Sequence, residues 1–343
     1  MTKWEQYLVA KWEYSPEWVI HLPTSLMYIW FSIRSLHPLF FTNVSHDYRD
    51  SNITNSGKSE VYRHLDPANY PKTEYVHIQE SPSIDLSQLP PFPLIAKPNI
   101  GKRGYAAALL KDDNDLTTYV NDTRVDFLLQ EYIDYPNECG IFYIRLPDQQ
   151  SGKITSIGLK TLLTITGDGT STMINLLYDQ GLNEESGSAL GHFDLENTIL
   201  KDGEVVVIEP IGSHNRGTVV KSGDHLIDDQ LLQSIELALG QYQLYYGRLD
   251  IKYKTWDQLV AGDFKIIEIN TITSEPLSIY DARVGLVGKY KMIYRHLSDL
   301  FLISRHLKKQ GRKRLGLVSF YKYVMAYNAH LRLISPKTKR QES

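Results

Sequence analysis

Two three-residue strings, Arg248-Leu249-Asp250 and Glu268-Ile269-Asn270, limit what this chain can fold into more than any other feature. In each, two polar residues flank an apolar one. On a β-strand that spacing puts Arg248 and Asp250 on one face, and Glu268 and Asn270 on one face. Their neighbours Ile251, Ile266 and Ile267 are β-prone, as buried strands require. The segment reads as the two strands of a hairpin, so two carboxylates, an amide oxygen and a guanidinium converge on one spot. Hard oxygen ligands of this kind suit Mg²⁺ held against phosphates, and a nearby arginine suits the charge that develops in phosphoryl transfer. The plainer alternative is two amphipathic strands with polar residues in solvent.

A second region has the makings of a nucleotide site. Phe92 to Pro98 is a short apolar run that contains Lys97. A loop with Gly101, Lys102, Arg103 and Gly104 follows, then a second apolar run from Ala106 to Leu110. A strand–loop–strand of this type folds backbone N–H groups over phosphates while a lysine neutralises them. Ser56-Gly57-Lys58-Ser59 lacks the spacing of a P-loop and reads as an exposed turn and helix start. Phe127 to Ile133 reads as a strand that runs out at Asp134 and Pro136, with Glu138 seven positions after Glu131. One carboxylate there can accept from an adenine amino group and another can hold ribose hydroxyls. By composition alone both are ordinary surface glutamates.

The ordered set Lys97-Pro98, Gly101, Gly104, Gln130-Glu131-Tyr132-Ile133, Glu138, Lys160, Gly167-Asp168-Gly169 with Thr172, Asn215-Arg216-Gly217, Arg248-Leu249-Asp250 and Glu268-Ile269-Asn270 resembles the ATP-grasp superfamily. Within it the set is most similar to carboxylate–amine ligases: D-alanine–D-alanine ligase, the glutamate-adding ligases and the ATP-grasp part of cyanophycin synthetase. The resemblance covers about residues 75 to 285. It implies an α+β fold in which two lobes clasp a nucleotide. It also implies ATP and one or two Mg²⁺ ions, with Mn²⁺ as a substitute. Lys97 and Lys160 resemble the nucleotide lysines, Gln130 to Ile133 the adenine hinge, and Glu138 the ribose ligand. Gly101 and Gly104 resemble the glycines of the phosphate loop. Asp250, Glu268 and Asn270 resemble the metal ligands. Arg248 resembles the arginine facing the transferred group, and Arg216 is expected to hold the acyl phosphate or the substrate carboxylate. The implied reaction joins a small-molecule or peptide carboxylate to an amine through an acyl phosphate. The alternatives are a small-molecule kinase on the same fold and a membrane-recruited nucleotide-binding adaptor.

Composition fits an enzyme of that kind. The 343 residues can bury a large core, and a net charge of -3 gives no nucleic-acid signature. A single cysteine, Cys139, fits a reducing compartment, so a cytoplasmic location is expected. Three parts are expected: a leading region over 1–75, an ATP-grasp domain over 76–307 and a basic tail over 308–343. Trp18 to Leu36 is apolar and aromatic but interrupted by Pro23; it reads as a buried core helix, with an interfacial helix as the sharper alternative. Ile227 to Tyr246 reads as one amphipathic helix, started by Asp228 and stopped by Gly247. From Lys289 onward there are 14 Lys/Arg and two acidic residues, with aromatic and aliphatic residues interleaved. Residues 308–340 are therefore expected either to close the first lobe or to touch anionic membrane from the periphery.

Overall fold

The computed structural model describes residues 17–44, 57–78, 90–101, 104–179, 194–208, 218–272 and 274–334. The chain opens with α1 (Glu17–Ser35), a 3₁₀ turn (Phe40–Asn43), α2 (Lys58–Tyr62) and β1 (Thr73–Val76). Next come β2 (Leu94–Pro98), β3 (Ala108–Leu110), α3 (Asp113–Asp122), β4 (Phe127–Glu131), β5 (Asn137–Ile144) and β6 (Lys153–Thr161). They are followed by β7 (Thr164–Thr166), α4 (Met173–Asp179), β8 (Val205–Val207), β9 (Val219–Ser222) and α5 (Asp229–Leu239). The chain closes with β10 (Tyr246–Tyr253), α6 (Trp256–Val260), β11 (Phe264–Asn270), α7 (Leu286–Lys309) and α8 (Leu317–Ile334). The class is α+β, with antiparallel pairing of β1 with β4, β4 with β2, β2 with β3, β11 with β10 and β10 with β5.

Residues 1–158 and 222–343 form one compact unit, and Leu159–Lys221 a second. In the larger unit, β1-β4-β2-β3 make a four-stranded sheet. Val76, Leu94, Ala96, Phe127 and Leu129 project from it onto Leu116 of α3. Asp112 starts α3 by accepting from the backbone N–H groups of Asn114 and Asp115 (2.9 and 3.0 Å), a normal N-cap. A five-stranded sheet runs β11-β10-β5-β6-β9. Phe142, Ile144 and Tyr246 of this sheet share a core with Phe31 of α1, Phe40 of the first 3₁₀ turn, and Leu300, Phe301, Ile303 and Leu307 of α7. The leading segment is thus built into the main core. Its helix α1 runs through Pro23 rather than breaking there.

The smaller unit has its own core of Leu163, Ile165, Met173, Leu177, Leu195, Leu200 and Ile208. Here β7 pairs with β8. Asp168 accepts from the Ser171 hydroxyl (2.6 Å) and from the N–H groups of Ser171 and Thr170 (2.7 and 2.8 Å), and these bonds hold its carboxyl well below the usual range. The Gly167-Asp168-Gly169 string is accordingly a side-chain-bonded turn just ahead of α4.

Helix α5 corrects one expectation. Asp228 caps it through the N–H of Leu231 (2.7 Å), but the helix stops at Leu239 rather than at Gly247. Gly240 takes φ +55°, and a Cβ there would lie 2.9 Å from the His64 carbonyl oxygen. A left-handed glycine ends a helix whatever the apolar period beyond it suggests.

Candidate functional site

The site is built on the β10/β11 hairpin. Its ladder sets Arg248 opposite Asn270 and Asp250 opposite Glu268, so all four side chains share one face. Arg248 donates to both oxygens of Asp250 (3.2 and 3.0 Å). Asn270 Nδ2 donates to Asp250 Oδ2 (2.9 Å) and to Glu268 Oε2 (3.3 Å). Asp250 is buried, while Glu268 keeps a third of its side chain exposed. Burial lowers the Arg248 pKa, but the Asp250 carboxylate outweighs it and the net shift is upward. Gly140 on β5 stands opposite Asp250. A Cβ at that position would approach Leu277 Cδ1 to 2.5 Å, Arg248 Cδ to 3.0 Å and Asp250 Oδ1 to 3.1 Å. Only glycine leaves room for the ion pair. Nothing in the sequence singled Gly140 out, because its partner is a strand more than a hundred residues away.

A bulge links this face to Lys97. After the Asp250–Glu268 pair the ladder resumes at Ile251–Ile266, which leaves Ile267 as an extra residue on β11. The freed Ile267 carbonyl accepts from Lys97 Nζ (3.0 Å) and from the Tyr62 hydroxyl (2.5 Å). Lys97 also donates to Gln130 Oε1 (2.7 Å). Gln130 Nε2 in turn donates to Thr73 Oγ1 (2.8 Å). Burial pushes the Lys97 pKa down to about 8, against an opposing pull from Glu268. The four-stranded sheet and the hairpin therefore meet at Lys97.

Lys58 is the residue that sequence reasoning missed here. It was read as part of an exposed turn, yet its side chain is only 12% exposed and its Nζ lies 3.5 Å from Glu268 Oε1. Helix α2 is pinned there because Asn99 accepts from the backbone of Lys58 and Ser59 (3.1 and 3.0 Å). Gly57 permits the approach, since a Cβ would fall 2.3 Å from the Asn99 amide. Lys58 and Arg248 together balance the two carboxylates of the face.

Other expected residues are placed as follows. Glu131 Oε2 accepts from the Lys72 N–H (3.2 Å), and Ile133 is buried. Tyr132 lies under Lys252 Nζ, 5.4 Å from the ring centre. Glu138 is buried at the start of β5, opposite Lys252 of β10, and is no surface glutamate. Gly104 takes φ +68°, and Gly101 lies beside Ile334 of α8. Lys160 lies on β6 within the smaller unit. Arg216, with Asn215 and Gly217, and the loop cations Lys102 and Arg103 fall outside the described residues.

The donor set fits a hard divalent cation. Asp250 and Glu268 supply carboxylates, and rotation of the Asn270 amide would present its oxygen where its nitrogen now bonds both. No group of three or more His, Cys, Asp or Glu side chains suited to a metal occurs among the described residues.

No family model matches the chain, and no curated protein matches it. Solved structures do. A bifunctional glutathione synthetase from Pasteurella multocida aligns with 69% of this chain and 36% of its own, at 14% identity and a TM-score of 0.36. D-alanine–D-alanine ligase from Bacillus anthracis aligns with 74% of this chain and 67% of its own, at 14% identity and a TM-score of 0.42. The VanG D-Ala:D-Ser ligase from Enterococcus faecalis aligns with 71% and 61%, at 13% identity and a TM-score of 0.39. This chain thus spans about a third of the synthetase's length.

Proposed function

We propose that this protein is an ATP-dependent carboxylate–amine ligase of the ATP-grasp type. The observation that carries the reading is the single face formed by Arg248, Asp250, Glu268 and Asn270, joined to Lys97 and Gln130 through the Ile267 carbonyl. In this reading Asp250, Glu268 and Asn270 would hold Mg²⁺, which would supply positive charge against the ATP phosphates. Lys97 and the loop of Gly101 and Gly104 bind the phosphates. Gln130, Glu131, Tyr132 and Ile133 flank adenine, and Glu138 with Lys252 holds the ribose. Arg248 stabilises the phosphoryl group as it passes to a substrate carboxylate, and Arg216 steadies the acyl phosphate. An amine then displaces phosphate to form an amide. The protein's share is positioning and charge, which is what phosphoryl transfer asks of it. The substrates are small-molecule or peptide carboxylates and amines, the setting is cytoplasmic, and no nucleic acid is involved.

The test is phosphate release from ATP across a panel of carboxylates, with and without amines. Release that needs both substrates supports the ligase. Release that needs only one acceptor and leaves a stable phosphorylated product assigns a kinase instead.

A further inference from the structure

Helix α1 is apolar along two edges. One edge, with Phe31 and Ser35 buried and Tyr28 packed beside them, closes the core over Phe40 and Phe301. The other carries Leu22, Leu26, Ile29, Trp30 and Ile33, each between 51% and 62% exposed, and Leu36 follows at 89%. Positions 22, 26, 29, 30 and 33 form one continuous stripe on a helix. Single exposed apolar residues need no explanation, but a row of five large ones does.

A second exposed apolar group begins α8, near the end of α1. Arg314 Nη1 donates to the Ser35 carbonyl (3.1 Å), and the Leu315 N–H donates to Thr42 Oγ1 (3.0 Å), so α8 starts beside the end of α1. Leu317, Val318 and Tyr321 follow within seven residues of Arg314, exposed at 65, 70 and 66%. The opposite edge of α8 is occupied: Leu331 and Ile334 pack on Val125.

Charge identifies what the face meets. Residues 22–44 and 304–334 contain nine Lys/Arg (Arg34 and eight in 304–334) and no acidic residue. Lys308, Lys309 and Lys313 are exposed near the joint of the two helices. The acidic side chain that reaches this stretch among the described ion pairs is Asp148, bonded to His306 at 3.3 Å. A two-fold pairing of copies through the face would set these cations against each other. No helix among the described residues is long and apolar enough to cross a membrane. A 19-residue helix of about 28 Å with an apolar stripe, a tryptophan and cations at its end suits the plane of a lipid interface.

We propose that the outer face of α1, with Leu36 and the first turns of α8, rests on an anionic lipid surface. The stripe enters the headgroup–acyl boundary, and Arg34, Lys308, Lys309 and Lys313 lie against the headgroups. This goes beyond the ligase reading and needs neither ATP nor catalysis, so the two stand or fall separately.

The test is sedimentation of the full chain with vesicles of phosphatidylcholine and phosphatidylserine at 3:1, and of phosphatidylcholine alone, at low and high salt. Binding to the anionic vesicles at low salt is expected, with loss at high salt. Ile29→Ser/Ile33→Ser should bind at least tenfold more weakly at an unchanged melting temperature. Lys308→Gln/Lys309→Gln/Lys313→Gln should bind about a hundredfold more weakly. The charge variant leaves the apolar edge intact, so it decides the case even if the serine variant loses its fold. No binding of the parent to anionic vesicles, or undiminished binding by the charge variant, overturns the proposal. So does a dimer of the parent that the serine pair dissolves, which would assign the face to a second copy.

Discussion

Lys97 is poised to lose its charge near physiological pH, because its surroundings hold its pKa at about 8, well below the ordinary lysine value. If its ammonium meets ATP phosphates, kcat/KM for ATP reports that free-protein pKa. The expected profile falls as pH rises through about 8, since the neutral amine no longer attracts phosphate. Lys97→Arg, which stays charged, should move the fall to higher pH. An unchanged profile in the arginine variant would remove Lys97 from the phosphate role. Gly140 offers a second check at this scale. Gly140→Ala would push a methyl group into Arg248 and Asp250. We expect ATP turnover to fall at least tenfold, with about 1–3 kcal/mol of stability lost to overpacking. Denaturant unfolding beside phosphate release checks both.

The elements that a local signal specifies were legible from the sequence. The i, i+2 spacing placed Arg248, Asp250, Glu268 and Asn270 correctly on two paired strands, and the apolar runs around Lys97 became β2 and β3. What stayed hidden depends on distant partners. The bulge at Ile267 exists because Lys97 and Tyr62 capture its carbonyl, and neither is near it in sequence. Lys58 looked exposed because Asn99, which pins α2, lies forty residues away. Lys289 heads the Lys/Arg-rich stretch of the sequence, yet it is fully buried, donating to the carbonyls of Ile279 and Asp281. His296 on α7 shows the same effect with a measurable consequence. It packs edge-on against Phe142 at 4.4 Å, and burial, followed by the charges of Arg295 and Lys153, lowers its pKa to about 4. An unfolded histidine titrates near 6.5, so between roughly pH 6.5 and 4 the unfolded chain binds more protons and folding loses stability. The loss should amount to as much as about 3 kcal/mol. His296→Phe should remove that part of the pH slope, as urea unfolding from pH 7 to 4 would show. A slope unchanged by the substitution would mean that His296 does not drive it.

At the scale of the whole molecule, the leading segment and α7 close one core with the five-stranded sheet, while α8 packs on Val125 just ahead of β4. Phe320 of α8 meets Phe41 at 6.4 Å, and His330 bonds the Ile100 carbonyl (2.9 Å) next to Gly101. The C-terminal stretch is therefore a structural brace as well as a basic surface. Truncation after Leu307 should cost several kcal/mol, at about 2 kcal/mol for each of the buried Tyr323, Leu331 and Ile334. A truncated chain that melts with the parent would show that α8 contributes no such brace.

The central claim is that the Arg248–Asp250–Glu268–Asn270 face directs phosphoryl transfer to a carboxylate. Hydroxylamine trapping tests it most directly, because an acyl phosphate yields a hydroxamate that no simple ATPase or alcohol kinase produces. With ATP, Mg²⁺ and an active carboxylate, the parent should accumulate hydroxamate. Glu268→Gln should form none above background while melting within about 1 kcal/mol of the parent, since it loses only a partly exposed contact to Lys58. Hydroxamate at the parental rate in the glutamine variant, or none from the parent with any carboxylate that stimulates phosphate release, would contradict the account.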